Sequence, residues 1–210
     1  MIDISVLPLF LTAVFFLVIS PGPDLILISS YSSTKGFKSG FMISLGVFLA
    51  GMLQTSLVAF GLGQLMQAMP LFAYSIKIAG AVYLAYLGVN MLRSWLQKKH
   101  QKNTFQQLEK ISNIQLINKG FLNNLLNPKA LLFFSLFLPQ FTTGSGVLSV
   151  QIIILGMLLS FIGLFSNALF ALSFSQFGAV LGKKLKLGRH IDGFLGMIFL
   201  GLATRLAISK

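Results

Sequence analysis

Residues 4–28 read ISVLPLFLTAVFFLVISPGPDLILI, and this stretch decides the fold class. A helix needs about 20 mostly apolar residues to cross the ~30 Å hydrocarbon core of a bilayer, and this stretch is long enough. The run Pro21-Gly22-Pro23-Asp24 interrupts it. Because proline has no backbone N–H and clashes with the carbonyl one turn earlier, two prolines around a glycine predict local unwinding. The stretch therefore predicts a broken transmembrane helix.

The rest of the chain has the same apolar character. Of its 210 residues, 55% are hydrophobic and only 10% are charged, and the mean hydropathy is +0.85. A soluble domain carries roughly 25% charged residues, so this chain could not cover a water-facing surface. The apolar stretches are continuous and do not alternate with polar residues, which excludes a membrane barrel of strands. The sequence therefore predicts an all-α integral membrane protein.

Six spans can be delimited on this basis, and the first and fourth are broken by proline. Their expected ranges are 4–28, 41–63, 71–92, 120–141, 147 to before 183, and 191–208. Lys and Arg number two, six and four in the loops after the first, third and fifth spans, and none in the other two loops. Cytoplasmic loops carry the excess of Lys and Arg in membrane proteins. We therefore expect these basic loops in the cytoplasm and both termini outside.

The predicted spans divide into two groups of three. Residues 1–92 form the first repeat, 93–118 a basic cytoplasmic linker, and 119–210 the second repeat. Because three is odd, the second group enters the membrane in the opposite sense, as in the inverted repeats of many secondary transporters. Each group opens with a proline-broken span. The sequence thus predicts about six transmembrane helices in two inverted three-helix repeats.

The two breaks carry the candidate site. Backbone groups freed by proline are tolerated at membrane depth only where they face protein or a water-filled cavity. Asp24 and Lys129 each directly follow a proline of their own break, and a charge inside a membrane is by default paired and functional. We therefore expect Asp24 and Lys129 to approach one another beside a substrate cavity, with Asp24 accepting a proton. A purely structural ion pair is the alternative.

Further candidate residues surround these two charges. The residues of the broken-helix motifs are Pro21, Gly22, Pro23, Asn127 and Pro128. Among them, Gly22 and Asn127 are expected at the substrate or in proton coupling. The polar residues inside other spans are Gln54, Asn90 and Asn167. Their side chains either contact a substrate or hydrogen-bond one helix to another.

Composition argues against several other activities. The chain has no cysteine, and its two histidines, His100 and His190, lie in basic loop segments, so neither a metal site nor a cofactor is expected. Asp24 is the only carboxylate within a predicted span core, which leaves little for an enzyme mechanism. The net charge of +12 resides mainly in the loops, where it orients the protein. We therefore expect neither an enzyme nor a nucleic-acid partner.

The sequence around both breaks resembles a known family. Ser20-Pro21-Gly22-Pro23-Asp24, followed by Thr34-Lys35-Gly36, resembles the first-helix motif of the LysE/RhtB amino-acid exporters. Asn127-Pro128-Lys129-Ala130, with Leu138-Pro139-Gln140-Phe141 downstream, is similar to the family's fourth-span motif, and the match runs over nearly the whole chain. The resemblance implies a secondary transporter in the bacterial inner membrane that exports an amino acid or a derivative, driven by the proton gradient. Its implied partners are that small molecule and the lipid bilayer.

Two other functions stay open at this point. One is a transporter of a different small cargo, such as a cation or a toxic metabolite. The other is a channel built by an oligomer around the unwound segments, since selectivity filters need rings of carbonyls or charges. A homo-oligomer is compatible with either transport or a channel. Saturable, gradient-coupled flux would distinguish the transporter from the channel.

Overall fold

A computed structural model describes residues 4–20, 22–62, 111–142 and 146–184, with scattered positions between 68 and 96 and between 197 and 204. These described residues form helices and the turns between them. Two helices are long and apolar enough to cross a membrane, and two bent helix pairs bring the total to four if each pair is one span. The expected all-helical membrane architecture is therefore confirmed, while most of the third and sixth predicted spans and of the linker lies outside the described residues.

The first predicted span is a bent pair of helices. Helix α1 runs Leu7–Ile19 and helix α2 runs Pro23–Lys35, with 52° between them. In a continuous helix the carbonyl of residue 17 would accept the N–H of residue 21, but Pro21 has none. Gly22 is extended, with φ −160° and ψ −179°, and α2 restarts at Pro23. Each helix has 13 residues, about 20 Å, so neither half crosses the ~30 Å core alone.

Helix α3, Phe37–Leu57, continues through a π-helical turn at Val58–Leu62. It begins four residues before the predicted start of the second span. Gly36 separates α2 from α3 and has φ +82°. This left-handed conformation is one that glycine adopts without steric cost, which explains a glycine at the sharp turn between the two helices.

The fourth predicted span is the second bent pair. Helix α4, Asn113–Leu125, opens with a capping box in which Ser112 and Gln115 exchange backbone and side-chain hydrogen bonds. Helix α5, Pro128–Leu132, continues through a π-helical segment, Phe133–Phe137, and a 3-10 turn, Leu138–Phe141. The bend between the two halves is 57°. The span thus breaks at the predicted proline but begins earlier than the predicted residue 120.

The fifth predicted span is one continuous helix, α6, Leu148–Lys184. Its 37 residues are about 55 Å long, which exceeds the thickness of the hydrocarbon core. The part apolar enough to cross a membrane is Leu148–Gln176. The sequence left the inner end of this span undetermined, because its uncharged stretch is too long for one upright helix and too short for two.

Two apolar clusters lie on either side of the helix breaks. One joins Phe10 of α1, Val58 after α3, Phe133 after α5 and Ile152 of α6. The other joins the opposite ends of the same four spans, through Ile28, Ile43, Leu116 and Ala171. The first bent pair and α6 therefore run from the first cluster to the second, and α3 and the second bent pair run the opposite way. Both breaks fall between the clusters, at the middle of the bundle.

Glycines bring α3 and α4 into direct backbone contact. A Cβ on Gly46 would overlap the backbone of Ile117 and Phe121, and a Cβ on Gly120 would overlap the backbone of Ile43. Close approach through small residues is the usual way that membrane helices associate. This contact positions the end of α4, where the second break begins.

Gly120→Val should therefore destabilise the bundle strongly. The added side chain has to push apart two backbones that cannot yield locally, at a cost of about 2 kcal/mol or more. Thermal unfolding of the purified protein in detergent measures the change. Gly61→Val is the matched control, because no atom of the part of the chain that the structure describes lies within 4 Å of a Cβ placed there. Equal unfolding temperatures for the two variants would contradict the close contact.

Candidate functional site

A partly open cavity of about 100 Å³ lies where the two breaks meet. Its polar lining comes from both breaks and from α6: Ser20, Gly22, Asp24, Asn124, Asn127, Lys129, Ser160 and Asn167. The rest of the lining is mainly aliphatic and aromatic, including Leu17, Val47, Phe48, Phe134 and Leu164. An apolar cavity with a few convergent polar groups is the usual form of a small-molecule site.

Asp24 is held by three side-chain amides from the other break. Its carboxylate oxygens accept hydrogen bonds from Asn123 at 2.6 Å, Asn124 at 2.8 Å and Asn127 at 3.1 Å. Asp24 also lies in the first turn of α2, where the helix dipole favours a negative charge. These hydrogen bonds give the carboxylate oxygens of Asp24 partners inside the bundle, and they tie α2 to the end of α4.

Lys129 makes the reciprocal contact with the first break. Its Nζ donates to the backbone carbonyls of Leu17 at 3.0 Å and Ser20 at 2.9 Å. The carbonyl of Leu17 is the one that Pro21 leaves without a helical donor. A cation at the C-terminal end of α1 is also favoured by the helix dipole. Each charge is therefore satisfied by groups from the opposite break.

Several residues predicted from the sequence meet at this cavity. Asp24, Lys129, Gly22 and Asn127 all line it, and Asn127 also caps α5 by accepting the backbone N–H of Lys129 at 3.0 Å. The backbones of Pro23 and Pro128 open the helices α2 and α5. Pro21 and Asn90 lie outside the described residues. The expected direct approach of Asp24 and Lys129 stays a prediction, since the contacts described above join each to other groups.

The two mid-span amides have different places in the structure. Gln54 is buried and donates its Nε2 hydrogen to the backbone carbonyl of Asn124 at 3.3 Å, so it joins α3 to α4 and is not part of the cavity wall. Asn167 lines the cavity, and its amide makes no hydrogen bond within the described part of the chain. Asn167 is thus placed to meet a ligand, whereas Gln54 is placed to hold helices together.

Substituting these two amides should separate the roles. Gln54→Met removes one interhelical hydrogen bond, for which membrane proteins show about 0.6 kcal/mol on average. We expect a slightly lower unfolding temperature and transport close to that of the unsubstituted protein. Asn167→Leu should leave the unfolding temperature nearly unchanged but reduce transport about tenfold, the effect of losing one good hydrogen bond to a ligand. Unfolding and transport would be measured on the same preparations. Loss of transport in Gln54→Met with normal transport in Asn167→Leu would contradict the roles given to the two amides.

The structure places further residues at the site that the sequence motifs did not indicate. Asn123 and Asn124 are the shortest contacts of Asp24. They lie in the last turn of α4, four and three residues before Asn127, which caps α5 on the other side of the break. Three asparagines within five residues beside a proline break were a readable signal. Ser20 contributes through its backbone carbonyl, which no side-chain pattern reveals.

Within the described ranges there is no group of three His, Cys, Asp or Glu residues that could hold a metal ion. The polar groups that converge on the cavity are one carboxylate, one ammonium and amides. Such groups can bind a molecule that carries both charges, and the carboxylate can exchange a proton.

The chain is similar to known membrane translocators. The family model described as LysE type translocator matches residues 15–210. A leucine efflux protein of Enterobacter sp. is 29% identical over 199 residues, which cover 94% of this chain and 93% of that protein. A leucine efflux protein of Salmonella typhimurium is 29% identical, with 94% and 92% covered.

A further relative is described only as an uncharacterized membrane protein, from Pseudomonas aeruginosa. It is 29% identical over 200 residues, covering 94% of this chain and 93% of that protein. No solved structure matches the chain significantly. The family match includes both helix breaks and spans nearly the entire length, as the motifs around the breaks predicted. The chain is a member of the LysE type translocator family.

Proposed function

We propose that this protein exports an amino acid or an amino-acid derivative from the cytoplasm as a secondary transporter. The observation that carries the proposal is the meeting of two broken helices at one cavity, where a carboxylate, an ammonium and several amides converge in an apolar wall. Broken helices at the middle of a membrane bundle are a recurrent way to build a transporter's substrate site. The match to the translocator family supports the same function.

The lining of the cavity favours an amino acid with an apolar side chain. The walls offered by α3 and α6 include Val47, Phe48, Leu159 and Leu164. A leucine-like side chain would lose contact with water against such walls, which is favourable in proportion to the apolar area buried. Two relatives are leucine efflux proteins, so L-leucine is the first substrate to test.

Two inverted three-helix repeats, residues 1–92 and 119–210 with a basic linker at 93–118, form the proposed architecture. The two bent pairs support it, because each is followed along the chain by a long unbroken apolar helix, α3 in one half and α6 in the other. The apolar clusters add that corresponding spans run in opposite directions. Rocking of one repeat against the other would then expose the cavity alternately to the two sides.

Proton coupling through Asp24 completes the proposed cycle. Three side-chain amides donate hydrogen bonds to the carboxylate oxygens of Asp24. Protonation would convert one acceptor oxygen into a donor facing those amides, so at least one of the hydrogen bonds would have to break. The protonation state of Asp24 would therefore be coupled to the contact between α2 and the end of α4, which joins the two breaks.

The distribution of basic residues gives the proposed orientation. Lys35 and Lys38 flank the turn between α2 and α3, on the side where the linker and the end of α6 are also basic. The positive-inside rule places this side in the cytoplasm of a bacterial inner membrane and both termini outside. Export then means movement from the side of these loops to the opposite side.

Efflux from proteoliposomes tests the proposed function. The protein would be reconstituted, vesicles loaded with labelled amino acids one at a time, and efflux followed with and without an imposed pH gradient. We expect saturable efflux of a few apolar amino acids that accelerates with the gradient. Non-saturable efflux of many solutes would indicate a channel instead, and efflux of a cation or of no amino acid would contradict the proposed cargo.

A further inference from the structure

The first break contains a site for a primary ammonium group, and a side chain of the protein fills it. Lys129 Nζ lies 3.0 Å from the carbonyl oxygen of Leu17 and 2.9 Å from that of Ser20. Both oxygens belong to the end of α1, where the helix dipole adds negative potential. The geometry is that of charge-assisted hydrogen bonds from a tetrahedral ammonium to carbonyl acceptors.

The carbonyl of Leu17 needs a hydrogen-bond donor that the backbone of this helix cannot supply. Pro21 removes the N–H that would pair with the carbonyl of Leu17, and an unpaired carbonyl in a membrane bundle costs several kcal/mol. The Lys129 stem reaches the carbonyls across Gly22, with its Cδ and Nζ 3.8 and 3.7 Å from the position of a Cβ at residue 22. The ammonium is thus delivered along the wall of the cavity, and Leu17, Ser20 and Lys129 all line that cavity.

We infer that the α-ammonium of the exported amino acid takes the place of Lys129 Nζ at the carbonyls of Leu17 and Ser20, and that the released Lys129 binds the substrate carboxylate. This inference rests on the proposed function, because it assigns the two charged groups of the substrate to parts of the same cavity. The exchange replaces one ammonium with another of the same chemistry. The carbonyls of the break therefore stay paired throughout.

The exchange selects for molecules that carry both charges. An amine without a carboxylate can fill the carbonyl site, but it gives the displaced Lys129 no anion of its own. The Asp24 carboxylate in the same cavity already accepts hydrogen bonds from three side-chain amides, and an ammonium without a partner inside the bundle is strongly unfavourable. A carboxylic acid without an amine can attract Lys129 only by leaving the carbonyls of Leu17 and Ser20 unpaired. A zwitterion avoids both penalties, because its ammonium pairs the carbonyls and its carboxylate pairs Lys129. Lys129 thus competes with simple amines for the carbonyls and excludes them.

Binding of three related compounds tests this exchange in nanodiscs. They are L-leucine, 3-methylbutan-1-amine, which lacks the carboxylate, and 4-methylpentanoate, which lacks the ammonium. With unsubstituted protein we expect L-leucine to bind at least about tenfold more tightly than either analogue, the effect of losing one charged hydrogen-bond partner. Equal binding of the amine and L-leucine to unsubstituted protein would overturn the inference.

The substitution Lys129→Met empties the carbonyl site without adding a charge. We expect the affinity for 3-methylbutan-1-amine to rise about tenfold or more, while that for L-leucine falls by a similar factor. Ligand-induced thermal stabilisation measures both without a labelled substrate. Lys129→Arg keeps a cation at the carbonyls and should continue to exclude the amine, so it serves as the second variant if Lys129→Met does not fold. Amine binding by Lys129→Arg as tight as that of L-leucine to unsubstituted protein would also overturn the inference.

The outcomes separate this inference from the proposed function. If unsubstituted protein exports and binds L-leucine but Lys129→Met folds and gains no amine affinity, the ammonium exchange is wrong and the exporter stands. If no amino acid binds or is exported but Lys129→Met gains amine affinity, the ammonium site stands and the cargo is wrong. Failure of both measurements would remove both proposals.

Discussion

Asp24→Asn should reduce gradient-driven export by about 100-fold or more. The substitution removes the charge that three amides share, and hydrogen bonds to a charged group contribute about 1.5–3 kcal/mol each. It also turns one acceptor oxygen into an N–H₂ group that faces other N–H₂ donors. Loss of about 2.7 kcal/mol from the transport step corresponds to a hundredfold decrease in rate.

The initial rate of L-leucine efflux from proteoliposomes, with and without a pH gradient, measures this effect. Thermal unfolding of the same preparation shows whether the variant is folded. Glu109→Gln is the matched control, because it removes a carboxylate from the predicted linker, outside both break motifs of the sequence. An Asp24→Asn protein that folds and retains gradient-driven efflux within twofold of the unsubstituted rate would show that Asp24 is structural only.

The double substitution Pro21→Ala/Pro23→Ala should also reduce export strongly, because it removes the break in the first span. It restores the backbone N–H of residue 21, which can then pair with the carbonyl of Leu17 in a regular helix. That carbonyl would no longer need Lys129. Alanine also favours a continuous helix by about 3 kcal/mol over proline at each position. We therefore expect a straighter first span, a displaced Lys129 and efflux reduced at least about tenfold.

Pro8→Ala provides the control for this double substitution. Pro8 lies at the start of α1, where the backbone N–H is unpaired in any helix, so its removal costs no hydrogen bond. Circular dichroism should show slightly more helix in the double variant than in Pro8→Ala, alongside the difference in efflux. Efflux from the double variant equal to that from Pro8→Ala would mean that the break in the first span is not needed for transport.

Hydropathy and proline positions were sufficient for the class of fold and for the places of the breaks. The bends follow from the covalent structure of proline, and the positions of the prolines are given by the sequence. The ends of the helices were harder to predict. Helix α2 continues seven residues beyond the predicted Ile28, to Lys35. In this extension the hydroxyls of Ser30, Ser33 and Thr34 donate to carbonyls one turn earlier, so they find acceptors within the helix. Hydropathy counts these hydroxyls as polar and so ends the span too early.

The candidate site was only partly predictable, for a physical reason. The sequence shows that Asp24 and Lys129 need partners at membrane depth, but the partners are chosen by helix packing. The carboxylate meets amides that lie about 100 residues along the chain, and the ammonium meets backbone carbonyls. A carbonyl oxygen is present at every residue, so only the combination of Pro21 with the fold singles out that of Leu17. Gln54 and Asn167 are both amides within predicted spans, so the sequence does not distinguish them. In the structure Gln54 joins α3 to α4, whereas Asn167 lines the cavity.

The most direct test of the central claim is protection of a single cysteine inside the cavity. The chain has no cysteine of its own, and Gly163 lines the cavity, where no atom of the described ranges lies within 4 Å of an added Cβ. Gly163→Cys would be reconstituted and its rate of modification by a maleimide measured with and without L-leucine. Lys38→Cys, at an exposed position outside the cavity, is the control. We predict that L-leucine slows modification at residue 163 severalfold and leaves residue 38 unaffected, whereas equal rates at residue 163 with and without every exported amino acid would contradict a substrate site between the two breaks.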